Sequence, residues 1–146
     1  MRLWHKDLIP YLPRQQLIAQ WRECCAIASY LANKGTPNHL LVNKILDYPK
    51  NHFWNYHSLI IKEMTKRGYK TTSNSMDKFT INYRNWIEDN EPLVFSMVCF
   101  NDLFADWHNE RYLKQCLYNL QEKYDCGGIS EDEWKLIQDN FDKYLH

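Results

Sequence analysis

Apolar residues recur at helical spacing over most of the chain. Leu17, Trp21, Cys24, Cys25, Ala28 and Leu31 share one face of a segment opened by Pro13, which predicts a helix over 13–31. Thr36 before Pro37 reads as an N-cap with proline at the first helical position. It predicts a short second helix with Leu40, Leu41, Ile45 and Leu46 inward and Pro49 as its stop. A third helix is predicted over 51–67, with Phe53, Tyr56, Ile60 and Met64 inward and Gly68 placed to end it in a left-handed conformation.

The second half is less uniform. Residues 70–78 are polar and without periodicity, and read as a loop; a short helix is predicted over 77–89. Residues 92–107, with the apolar run Leu93 to Phe100, suit either a buried helix or a strand and are read as helix. Tyr112, Cys116, Leu117 and Leu120 fall in register over 109–124, and Gly127-Gly128 ends that helix. Ser130-Glu131-Asp132-Glu133 is a capping box opening the last one. The pattern predicts an all-α fold, a single domain over 1–146 with about five to seven helices.

Charge divides that domain. The formal net charge is zero, yet residues 1–70 carry 11 Lys and Arg against 4 Asp and Glu, and residues 71–146 carry 7 against 14. A basic first half suits a phosphate-bearing partner, unless the two halves neutralise one another where they pack. Five Cys without a C-x-x-C pair or zinc spacing read as free, mostly buried thiols, which together with the lack of an apolar leader or membrane-length stretch predicts a soluble, cytoplasmic protein.

Candidate chemistry sits in the first helix. Gln16, Gln20 and Glu23 form a polar ridge beside the apolar face, and Arg22 lies between the small residues Ala19 and Ala26, which leave space around it. By periodicity alone this ridge is an ordinary solvated helix face. Trp4 and His5, flanked by Arg2 and Lys6, suit either a cleft lining or packing against the first helix. His52 and His57 are five apart, wrong for two metal ligands on one helix face, and Lys66-Arg67 before Gly68 suits a helix C-terminus.

The segments Met1-Arg2-Leu3-Trp4-His5, Asp7 to Leu17 (Asp-Leu-Ile-Pro-Tyr-Leu-Pro-Arg-Gln-Gln-Leu) and Gln20-Trp21-Arg22-Glu23-Cys24-Cys25 resemble the opening of the pyrimidine-dimer DNA glycosylase family, grouped with phage endonuclease V. The resemblance continues through Tyr56-His57 and Glu63-Met64-Thr65-Lys66-Arg67-Gly68-Tyr69 and covers about half the chain. It implies a DNA repair glycosylase and AP lyase acting on pyrimidine dimers. In that family the chain's own α-amino group attacks the sugar C1′ and forms an imine, assisted by a glutamate matching Glu23, while an arginine matching Arg22 holds a phosphate. An α-amino group, with a reference pKa of about 7.7–8.0, is partly unprotonated near neutral pH, which suits a nucleophile.

Three positions depart from the family pattern. Active members expose a small residue after the initiator methionine is removed, whereas Arg2 is bulky, so Met1 is expected to stay and to carry the amine. A family histidine and a family arginine are replaced by Gln16 and Ala26. The expected site is therefore Met1, Arg22 and Glu23 for chemistry, with Arg2, Trp4, His5, Lys6 and Arg14 contacting DNA. The expected partner is double-stranded DNA containing a lesion, bound by a monomer with no metal or organic cofactor. The alternative is a catalytically silent nucleic-acid-binding helical protein; a third reading is a structural domain in which the acidic half covers the basic one.

Overall fold

The first predicted helix forms as Arg14–Lys34, α1. Leu17, Trp21, Cys24, Ile27, Ala28 and Leu31 are all buried along it, and each large aliphatic side chain so removed from water contributes about 1.5–3 kcal/mol. A computed structural model describes residues 2–34, 40–87 and 94–145. Among them are α2 (Leu40–Asn43), α3 (Asn51–Lys66), α4 (Ser73–Trp86), α5 (Glu110–Asp125) and α6 (Glu131–Leu145), with 3₁₀ turns at Lys6–Tyr11 and Lys44–Asp47 and no strand. The all-α expectation holds.

α1 packs chiefly on α4 and also on α3, α5 packs on α6, and the first 3₁₀ turn touches both α3 and α6. At the α1–α3–α4 junction Phe79 sits 5.5 Å from Trp21 and 4.1 Å from His57 between ring centroids. Gly68 and Gly127, at φ +78° and +82°, take the left-handed turns that end α3 and α5. The capping box opens α6 as expected: the Ser130 hydroxyl accepts from the Glu133 amide at 3.2 Å and the Glu133 carboxylate accepts from the Ser130 amide at 3.4 Å.

Several expectations are corrected. Residues 73–78 belong to α4 rather than a loop. The Thr72 hydroxyl accepts from the Ser75 amide, so Ser-Asn-Ser makes a polar first turn ahead of the buried Phe79 and Tyr83. Leu40 and Leu46 are 86% and 41% exposed while Ile45 is buried. α2 lasts one turn and gives way to a 3₁₀ turn, whose period of three rotates the face that a 3.6 period assigns. The Thr36-Pro37 start lies outside the described residues. Lys66 and Arg67 lie at the C-terminal end of α3 as expected, and the Arg67 guanidinium in addition reaches the carbonyls of Leu12 (2.7 Å) and Pro10 (3.1 Å), which clamps the lead-in to α3. Finally, Cys99 and Cys126 are exposed; all five thiols are free, and only Cys24 and Cys116 are fully buried.

The apolar run ending at Phe100 is also not a helix over its described part. Residues 94–109 are turns and bends interrupted by irregular backbone over 96–99, with Met97 91% exposed and Leu103 and Phe104 buried. Side chains from elsewhere satisfy backbone groups that a helix would pair internally. Asn55 donates to the Ser96 carbonyl (2.8 Å) and accepts from the Val98 amide (3.0 Å), and His52 Nδ1 accepts from the Phe104 amide (3.2 Å). Lys6 Nζ donates to the carbonyls of Phe100 and Leu103, both at 2.6 Å. Lys6→Met keeps the apolar stem but orphans both acceptors, and is expected to cost about 2 kcal/mol, read as a lower urea midpoint. An unchanged midpoint would show that water replaces the ammonium there.

Candidate active site

The chain start is an extended segment whose backbone is bonded by side chains from three helices. Gln20 of α1 donates to the Arg2 carbonyl at 2.9 Å, Tyr112 of α5 to the Leu3 carbonyl at 2.6 Å, and Tyr56 of α3 to the Trp4 carbonyl at 2.6 Å. The Trp4 amide in turn donates to Gln20 Oε1 at 2.8 Å. Leu3 and Trp4 are buried, as are all three of these partners. Burial pushes the Tyr56 and Tyr112 hydroxyls well above the ordinary tyrosine range, so both remain protonated donors.

This anchoring brings the segment to Glu23. The Arg2 amide donates to Glu23 Oε2 at 3.2 Å, and Gln20 Nε2 donates to the same oxygen at 3.2 Å. Glu23 is half-buried and Arg22 exposed on the wall of a cleft of about 460 Å³, which is lined also by Trp4, Gln16, Ala19, Gln20 and Lys123. Met1 itself lies outside the described residues.

The ridge expected from α1 is thus real, but Gln20 is no solvated surface residue: it is 0% exposed. Of the expected site residues, Arg22, Glu23 and Trp4 share the cleft. Arg2 is half-buried, its guanidinium 5.5 Å from the Trp4 ring centroid and its Nη1 3.9 Å from Cys116 Sγ. Arg14 is exposed beside a neighbouring groove of about 400 Å³ that shares Gln15 and Gln16 with the cleft; its amide donates to Glu133 at 2.8 Å and its guanidinium lies over Tyr69.

His5 and Lys6 are corrected as DNA contacts. Both are buried, 3% and 5% exposed, because the 99–108 segment supplies polar partners for them. His5 Nδ1 accepts from the Asp7 amide, leaving Nε2–H to donate to the His108 carbonyl at 2.9 Å. His108 Nδ1 accepts from the Lys6 amide at 3.0 Å, and the two imidazoles stack 5.1 Å apart. Burial lowers the His5 pKa; it pushes His108 down to about 2, helped by the neighbouring His5 and Lys6 charges. These neutral rings are packing elements that hold the chain start. Among the described residues no group of three or more His, Cys, Asp or Glu could hold a metal ion.

Lys123 was not expected. It lies a hundred positions from Glu23, in the acidic half, and only the packing of α5 brings it to the cleft.

Neither the curated proteins nor the solved structures contain a match to the chain. The model of a family described as pyrimidine dimer DNA glycosylase does match, over residues 1–77, the stretch that holds the Arg2 amide, Gln20, Arg22, Glu23 and Tyr56. That match spans more than half of the sequence and includes the segment anchored at the Glu23 carboxylate; the chain belongs to the pyrimidine dimer DNA glycosylase family.

Proposed function

We propose that this protein is a DNA glycosylase with AP-lyase activity toward pyrimidine dimers in double-stranded DNA, with the α-amino group of Met1 as nucleophile and Glu23 as the acid–base carboxylate. The observation that carries the reading is the 3.2 Å contact between the Arg2 amide and Glu23 Oε2. The amine of Met1 is three covalent bonds from that amide nitrogen, so it can lie at most a few ångströms from the carboxylate's own partner.

In this reading the amine nitrogen bonds to C1′ and the base leaves with the glycosidic electron pair and a proton. The remaining amine proton passes through Glu23 to the ring oxygen O4′ as the C1′–O4′ bond breaks, which leaves an imine and returns Glu23 to its carboxylate form. Glu23 then removes a C2′ proton, and the 3′ phosphate departs in a β-elimination. Arg22 and Lys123, on the cleft lining, supply the positive charge for the strand's phosphates. The protein works as a monomer in the cytoplasm and needs no metal or organic cofactor.

Borohydride reduction with an abasic duplex tests the proposal. The expected result is a covalent protein–DNA adduct that maps to the Met1 peptide and disappears when the α-amine is methylated beforehand. Intact mass is expected to show Met1 retained ahead of the bulky Arg2. No adduct, alongside duplex binding that weakens with salt, would instead favour the silent binding protein.

A further inference from the structure

We infer that Gln20 is the positioning residue of this site: its side-chain amide sets where the chain start lies relative to the Glu23 carboxylate. The assignment rests on the proposed pairing of amine and carboxylate.

A primary amide has two N–H donors and an oxygen with two acceptor positions. In Gln20 both donors and the oxygen are engaged. Nε2 donates to the Arg2 carbonyl (2.9 Å) and to Glu23 Oε2 (3.2 Å), while Oε1 accepts from the Trp4 amide (2.8 Å) and lies 3.1 Å from the Tyr56 hydroxyl, whose one proton goes to the Trp4 carbonyl. Flipping the amide would set donors against the Trp4 N–H and acceptors against a carbonyl and a carboxylate, so this orientation is the one the surroundings accept. Tyr56 and Tyr112 also hold the chain start, through the Trp4 and Leu3 carbonyls. Of these three side chains, Gln20 alone bonds both the segment and Glu23. It is also uncharged, so it ties the carboxylate down without adding a second negative charge. Gln20 is itself fully buried, so its donors are spent on these partners and not on solvent.

Two variants separate positioning from folding. Gln20→Glu keeps the size and the acceptor for the Trp4 amide but replaces the N–H donors; Gln20→Met keeps only the length. On an abasic duplex both are expected to lose about 100-fold in kcat with KM within about threefold of the parent, the signature of misplaced reacting groups in a formed binding cleft. Ile137→Val, a core truncation in α6, serves as a stability control and is expected to keep kcat within about threefold. In the unsubstituted protein the Gln20 amide protons should resist exchange with solvent, and the Arg2 amide NMR resonance should move in Gln20→Glu. Folded Gln20 variants with parental kcat, or Gln20 amide protons that exchange freely in the parent, would overturn the assignment. Should the parent form no borohydride adduct while its Gln20 protons are protected and the Arg2 resonance moves, the lyase reading fails and the positioning role stands.

Discussion

Glu23→Gln is expected to reduce strand cleavage at abasic sites by about a thousandfold, close to 4 kcal/mol of lost transition-state stabilisation. The substitution is nearly isosteric. A glutamine oxygen can still accept from the Arg2 amide and from Gln20, both of which bond Oε2 in the parent, so the chain start should stay in place. What disappears is a group able to take a proton and hand it back, which imine formation and removal of the C2′ proton both require in the proposed reaction. The check is single-turnover cleavage of an abasic duplex together with a thermal melt. Cleavage at the parental rate in a folded variant would remove Glu23 from the mechanism, whereas a collapsed melting temperature would show that its negative charge is needed for folding.

Acidification is expected to destabilise the fold well before the carboxylates titrate. His57 is 7% exposed, its ring stacked on Phe79 and its Nδ1 donating to the Trp54 carbonyl, and burial pushes its pKa down to about 4. In the unfolded chain an ordinary value of about 6.5 applies. Between those two values the unfolded state holds the proton and the folded state does not, so stability is complete above pH 6.5 and falls as pH drops toward 4. The loss from His57 alone is about 3 kcal/mol. His5, His52 and His108 are lowered too, each chiefly by burial, and act in the same direction; His108, at about 2, carries the decline to lower pH. Melting temperatures of the parent and of His57→Phe, followed from pH 7 to pH 4, should converge toward a shallower dependence in the variant. Parallel curves would mean that His57 becomes protonated in place, with the fold opening to admit solvent.

The helices were legible where one period ran without interruption. α1, α3 and α5 were each marked by four or more apolar residues on one face, and the α6 start by the Ser130–Glu133 box, because local spacing and capping are properties of consecutive residues. α4 was half missed, since a polar first turn capped by Thr72 has the composition of a loop. The 94–109 segment was misread because its backbone is satisfied by Lys6, His52 and Asn55, which lie far away in sequence.

For the candidate site, the sequence by itself determined the residue types and their spacing on one helix: Arg22 beside Glu23, a polar ridge through Gln16 and Gln20, and an opening that resembles a glycosylase family. It could not say that the chain start folds back onto Glu23, that Gln20 is buried, that His5 and Lys6 point into the core, or that Lys123 reaches the same cleft. Those are long-range outcomes, decided when Tyr56, Tyr112 and Gln20 close on the backbone carbonyls of residues 2–4. A hydrogen bond between groups tens to a hundred positions apart leaves no periodic trace along the chain, because its partners meet only after the helices that carry them have packed.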